Sequence, residues 1–124
     1  MERFAVSVLP LAKPAEWRTF CDSIDHGERA EAHRAMLARL GVTHERVYHQ
    51  SGAGPDLVVL IWEGVDQHDL AGKMAELIGN PQTDHERYVA THVIPGLHGI
   101  DPASGVPEIR LAADMVPGRV PATH

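Results

Sequence analysis

The run Leu57-Val-Val-Leu-Ile-Trp62, closed by Glu63, is the feature that most limits what this 124-residue chain can become. Six apolar residues in a row fall far short of the roughly 20 that a membrane-spanning helix needs. Three of them are β-branched, and the run suits a strand that is dry on both faces. Upstream, beyond the glycine-rich turn Ser51-Gly-Ala-Gly54, lies a second strand-like run from Thr43 to Gln50, so the two segments read as a β-hairpin. Helices packed on one side of a sheet cover only one face of such a strand. The simplest cover for the other is the same face of a second copy, which predicts a homodimer with its sheets closed into a barrel.

The flanking segments supply the rest of the fold. Arg3 to Leu9 reads as a strand stopped by Pro10, and Pro14 opens a helix with Trp17, Phe20, Cys21 and Ile24 on one stripe. Asp25-His26-Gly27 interrupts that helix. A second piece then carries Ala30, His33, Leu37 and Leu40 to a C-cap at Gly41. Asp66 is placed to cap a helix bearing Leu70, Met74, Leu77 and Ile78, ended by Gly79-Asn80-Pro81. Asp84 is placed to cap a further segment bearing Tyr88, Val89, His92 and Val93, broken by Pro95 and Gly96. Pro107 to Met115 reads as the last strand. The order β, α, β, β, α, β predicts an α+β, ferredoxin-like βαββαβ domain over residues 1–116, with a four-stranded antiparallel sheet and helices on one face. Residues 117–124 are expected to form an extended or disordered tail.

With 11 Lys and Arg against 17 Asp and Glu, the formal net charge of −6 argues against nucleic acid or an anionic membrane as partner. The single cysteine, Cys21, has no partner for an intramolecular disulfide, and the first residues lack the basic-then-apolar pattern of a secretion signal. A cytoplasmic location is the expectation.

Three separated blocks carry a resemblance to known proteins. GERAEAHRAMLARLGVTHERVYHQ, DLVVLIWEGVD and DHERYVATHVIPGLHGID resemble, in order and spacing, an uncharacterised family of short bacterial dimeric α/β-barrel proteins. The resemblance covers roughly residues 3–101. That family is related in fold to the antibiotic-biosynthesis-monooxygenase superfamily, whose members include cofactor-free monooxygenases, lactone isomerases, haem-binding proteins and non-catalytic stress proteins. It implies a pocket between the helices and the sheet of each subunit, and it does not imply one reaction.

The candidate site residues come from the residues themselves. Histidine titrates near neutrality and serves as acid, base or ligand. Of nine histidines, His26, His44, His68, His85 and His124 fall at turns, helix starts or the tail and read as solvated surface. His33 lies on an apolar helical stripe and should point at the sheet, either as a hydrogen-bonded core histidine or as a pocket acid/base. On the second strand, one of the pairs Tyr48/Gln50 and Val47/His49 must face the pocket, and the alternation leaves both open. Glu63 beside Trp62 could hold a raised pKa as a proton acceptor, or lie at the strand end paired with an arginine. Arg87, Tyr88 and His92 could line the same cavity or serve as packing and surface. In His92-Val-Ile-Pro-Gly-Leu-His-Gly-Ile-Asp101 the proline and the two glycines read first as a stopped helix and a turn capped by Asp101. His98 then points either into the cavity or toward Asp101 and solvent.

No HExxH, CxxC or glycine-rich phosphate loop is present in the sequence, so no cofactor is expected, with haem or a metal assembled from distant segments as the alternative. The pattern predicts a cofactor-independent enzyme that cyclises or isomerises a hydrophobic small molecule, such as a polyketide or aromatic one. His33, His49 or His98 would move protons, with Glu63 or Asp101 as partner and Tyr48 and Trp62 as walls. The alternatives are a non-catalytic small-molecule-binding or accessory protein, and a cofactor-free or haem-dependent monooxygenase.

Overall fold

A computed structural model describes residues 3–104 and 109–118. β1 (Phe4–Pro10), β2 (His44–Gln50) and β3 (Leu57–Glu63) form an antiparallel sheet of three strands among the described residues, in the order β1-β3-β2. The apolar run therefore occupies the central strand, where both edges find backbone partners and only the faces need covering. The register aligns Ala5, Trp62 and Glu45 in one row, Ser7, Leu60 and Val47 in the next, and Leu9, Val58 and His49 in a third. These nine side chains face the helices. The pairing settles the parity of the second strand: Glu45, Val47 and His49 point inward, while Tyr48 points outward and is 54% exposed. On the same outer face Phe4 is exposed, and Val6, Val8, Val59 and Ile61 are only half-buried.

Four α-helices cover the inner face: α1 (Pro14–Asp25), α2 (Ala30–Arg39), α3 (Gln67–Gly79) and α4 (Asp84–Tyr88). The split between α1 and α2 falls where the sequence breaks its stripe. A Cβ at Gly27 would stand 2.8 Å from the Ser23 Cα, so only glycine lets the chain turn this tightly. Gly41, with φ of 83°, ends the α2 segment as expected. The Asp66 side chain caps α3 by accepting from the Asp69 amide at 3.0 Å. No helix among the described residues is long and apolar enough to cross a membrane.

Three expectations change. The cap of α4 is Thr83, whose hydroxyl accepts from the Glu86 amide at 3.1 Å, while Asp84 is exposed and pairs with Arg87. Pro95 does not break the following segment, because Val89–Leu97 is wound as a π-helix that runs through it. Proline cannot donate to the carbonyl of an α-turn, and the wider winding carries the chain on, with the His98 amide bonded to the Val93 carbonyl at 3.0 Å. The predicted last strand is absent over its described part, since residues 109–116 carry no regular structure. Pro107 and Glu108 at its start, and residues 119–124 of the predicted tail, lie outside the described residues. At the β1 edge, where a fourth strand would pair, the Gln67 amide takes both backbone groups of Val6, accepting from its N–H at 2.8 Å and donating to its carbonyl at 2.9 Å. One side chain thus closes the middle of that edge.

The helices are tied together by a buried charge. Glu86 is 1% exposed and accepts from Arg39 of α2 through Nε at 3.1 Å and Nη2 at 2.5 Å, and from the Gln82 amide at 3.0 Å. The Arg39 hydrogen bonds hold its carboxyl below the usual carboxylate range. A depressed folded pKa contributes stability that is fully present above the unfolded value of about 4.3 and is lost as pH falls through the folded value. Glu86→Gln is therefore expected to destabilise the protein by about 2–3 kcal/mol at neutral pH. In urea titrations the gap to wild type should close as pH falls below about 4, and a pH-independent gap would contradict the assignment.

Candidate functional site

Between α1, α2, the π-helix and the inner face of the sheet lies an apolar cavity of about 80 Å³. Beside it, between the α1-α2 layer and β2, opens a cleft of about 850 Å³. Trp17, Cys21, Ile24, His33, Glu45 and Val47 line both spaces. Polar groups in this shared wall are few, and their partners can be followed atom by atom.

His33, projected from the apolar face of α2, places Nε2 at 2.9 Å from Glu45 Oε1 and Nδ1 at 2.9 Å from Nε2 of His85. Glu45 Oε2 accepts from the Trp62 indole N–H at 2.7 Å, a direct consequence of the Glu45-Trp62 register. His85 Nδ1 lies 3.2 Å from Arg29 Nη1. The chemistry of the ends orients the whole chain. A guanidinium only donates, so His85 Nδ1 accepts, and the proton of a neutral His85 sits on Nε2. His85 then donates to His33 Nδ1, and His33 donates from Nε2 to Glu45. Three donors in sequence thus point from Arg29 toward one carboxylate. Burial, the neighbouring His33 and Arg29 push His85 down to about 4, which keeps it in the neutral form this order requires. The Arg29 guanidinium is itself held 3.8 Å over the Tyr88 ring.

His98 faces the same cavity. It is 6% exposed and donates from Nδ1 to the Pro10 carbonyl at 2.9 Å, and its Nε2 has no hydrogen-bond partner among the described residues. Burial lowers its pKa. His49, on the cleft side, is oriented by Asp56, which lies 3.1 Å from Nε2, and its buried Nδ1 is unpartnered. The Trp17 ring stands between these two histidines, 5.4 Å from His49 and 6.4 Å from His98. Cys21 carries a thiol pushed up to about 12 by burial and by Glu45, so it is protonated at neutral pH and no nucleophile.

Of the residues singled out by sequence, the structure brings His33, Trp62 and His98 together around the cavity and puts His49 on the cleft. It removes Glu63, which lies at the strand end between His44 at 2.9 Å and Arg46 at 3.2 Å. The Arg46 hydrogen bond lowers its pKa, the reverse of what a buried proton acceptor needs. Asp101 is exposed and caps the turn after it, accepting from the Ala103 amide at 3.0 Å, so it is no partner for His98. Tyr48 faces outward. Arg87 is exposed on its own helix with Asp84, and His92 is exposed against Tyr88, which is half-buried beside Phe20. Sequence reading passed over Glu45 and set His85 aside as surface. The alternation of β2 held a signal for Glu45, which shares the parity of Val47 and His49.

Among the described residues no group of three or more His, Cys, Asp or Glu is arranged to hold a metal ion. His33, His85 and Glu45 make a line of hydrogen bonds with no common centre.

The donor order predicts the Nε2–H tautomer for both His33 and His85 in nitrogen-15 spectra at pH 7, with Arg29→Met freeing His85 to populate the other. A depressed histidine pKa also makes stability rise with pH between about 4 and 6.5. His85→Phe should flatten that part of the curve, and an unchanged slope would count against the buried, neutral His85. No family model, curated protein or solved structure matches this chain.

Proposed function

We propose that this protein is a cofactor-independent acid/base catalyst that cyclises or isomerises a hydrophobic small molecule bound between the helices and the sheet. The observation that carries this reading is the Glu45-His33 pair, a carboxylate and an imidazole set into the apolar wall common to the cavity and the cleft. Glu45 takes the proton. The donors His33 and Trp62 each bond one carboxylate oxygen in a place where an unsupported charge would be costly, and each oxygen keeps a lone pair for a substrate proton. Returning that proton to a different atom of the same molecule completes an isomerisation or a ring closure without any other reagent. The cleft has the volume of a small-molecule site.

The test is deuterium exchange at the acidic carbon of a β-diketone such as benzoylacetone, followed by proton NMR. The protein should accelerate exchange over buffer, and Glu45→Gln should remove roughly 10²–10⁴-fold of that acceleration. Exchange equal to buffer would sink the reading. A second reading, a small-molecule-binding or accessory protein, is favoured by one feature: both His33 nitrogens are already engaged, as suits a fixed wall. Saturable binding of the diketone with no exchange would select it.

We also infer the homodimeric, ferredoxin-like arrangement of short bacterial dimeric α/β-barrel proteins. The order β1-β3-β2 is the order these strands take in such a sheet, and the half-covered apolar outer face around Val59 and Ile61 is the surface a second copy would cover. Wild-type protein should run at twice the chain mass in light scattering and Val59→Asp at the chain mass; a monomeric wild type would overturn the arrangement.

A further inference from the structure

We propose that the ligand of this site is an elongated, neutral molecule carrying a hydroxyl or similar hydrogen-bond donor at each end, held between Glu45 and His98. The inference rests on the acid/base reading for the identity of the site and adds what that site selects. Its ground is the inventory of polar atoms left unmatched. Both His33 nitrogens are used, and the Trp62 N–H is spent on Glu45. What remains facing the cavity is the second lone pair on each Glu45 oxygen and the lone pair of His98 Nε2. Apart from the Cys21 thiol, a weak donor, all of these are acceptors.

Buried acceptors are matched only by donors. A carboxylate or a phosphate would bring more acceptors, and an anion would also meet the Glu45 carboxylate. Nothing in the wall can turn round to help, because Arg29 fixes the order of donors from the far end and the Pro10 carbonyl fixes His98. The register then supplies a length. Glu45 stands in the row of Ala5, whereas His98 hangs from Pro10, five positions further along β1. That separates the two anchor points by about 17 Å of strand, shortened as both side chains reach inward. Between them the wall is apolar, with Trp17, Val47 and Leu60, which suits a hydrocarbon middle.

The full chain is titrated with octane-1,8-diol, 1,8-dimethoxyoctane and octanoate by calorimetry, with the His98 nitrogen-15 resonances followed in parallel. The diol should bind about tenfold or more tightly than the diether, octanoate should bind less tightly than the diol, and His98 Nε2 should shift with the diol alone. His98→Leu should reduce the diol to the affinity of octan-1-ol. The Nε2 shift in the wild-type protein keeps the test decisive if that variant does not fold. A diether or octanoate that binds as tightly as the diol, an unmoved Nε2, or no binding of the diol up to its solubility limit would overturn the proposal. A clear diol preference with no diketone exchange would leave the ligand class standing and remove the catalytic reading.

Discussion

Two carboxylates, Glu45 and Glu86, are placed inside this protein, and most of its helical layer is arranged to answer them. An ionised carboxylate away from water has to collect donors. Glu86 collects them from Arg39 and from the Gln82 amide, and in doing so fastens α4 to α2. Its neighbour His85 is thereby brought against His33, which projects from α2 about two turns before Arg39. Glu45 collects its donors from His33 and Trp62. The structural ion pair and the candidate site thus share two helices, and the clamp at Glu86 sets the spacing on which the line of imidazoles depends.

That dependence explains which parts were legible in the sequence. Features decided by neighbours in the chain were readable: the central apolar strand, the interruption at Gly27, the cap at Asp66 and the glycine that ends the α2 segment all follow from local conformational preference. The polarity of β2 was half readable, because alternation defines two faces and only the pairing with β3 chooses between them. Contacts that join Arg29 to His85, His33 to His85 and Arg39 to Glu86 span 56, 52 and 47 positions, and no periodicity reports them. His85 looked like surface because it opens a helix. It is buried because that helix is docked through the residue beside it.

Proline at position 95 shows the opposite error, a local rule applied too strictly. The missing amide forbids an α-helical hydrogen bond at that point, but it does not forbid helical winding with a longer reach. The π-helix carries the chain on to His98, whose ring then reaches back to Pro10 instead of out toward Asp101. A helix stopped at Pro95 would have left His98 on a surface turn. The irregular winding is what delivers a histidine from outside the predicted helix into the wall of the cavity.

The line from Arg29 to Glu45 has a direction because its ends differ chemically. A guanidinium cannot accept a proton, and an ionised carboxylate cannot donate one, so every hydrogen bond between them is forced the same way. Both imidazoles are consequently spoken for at both nitrogens, and neither is free to act as the base that a buried histidine first suggests. The lone pairs left unshared lie on the carboxylate at the end of the line. In the proposed reading the proton transfer that sequence suggested for histidines falls to Glu45, with the histidines and Arg29 fixing its orientation from behind.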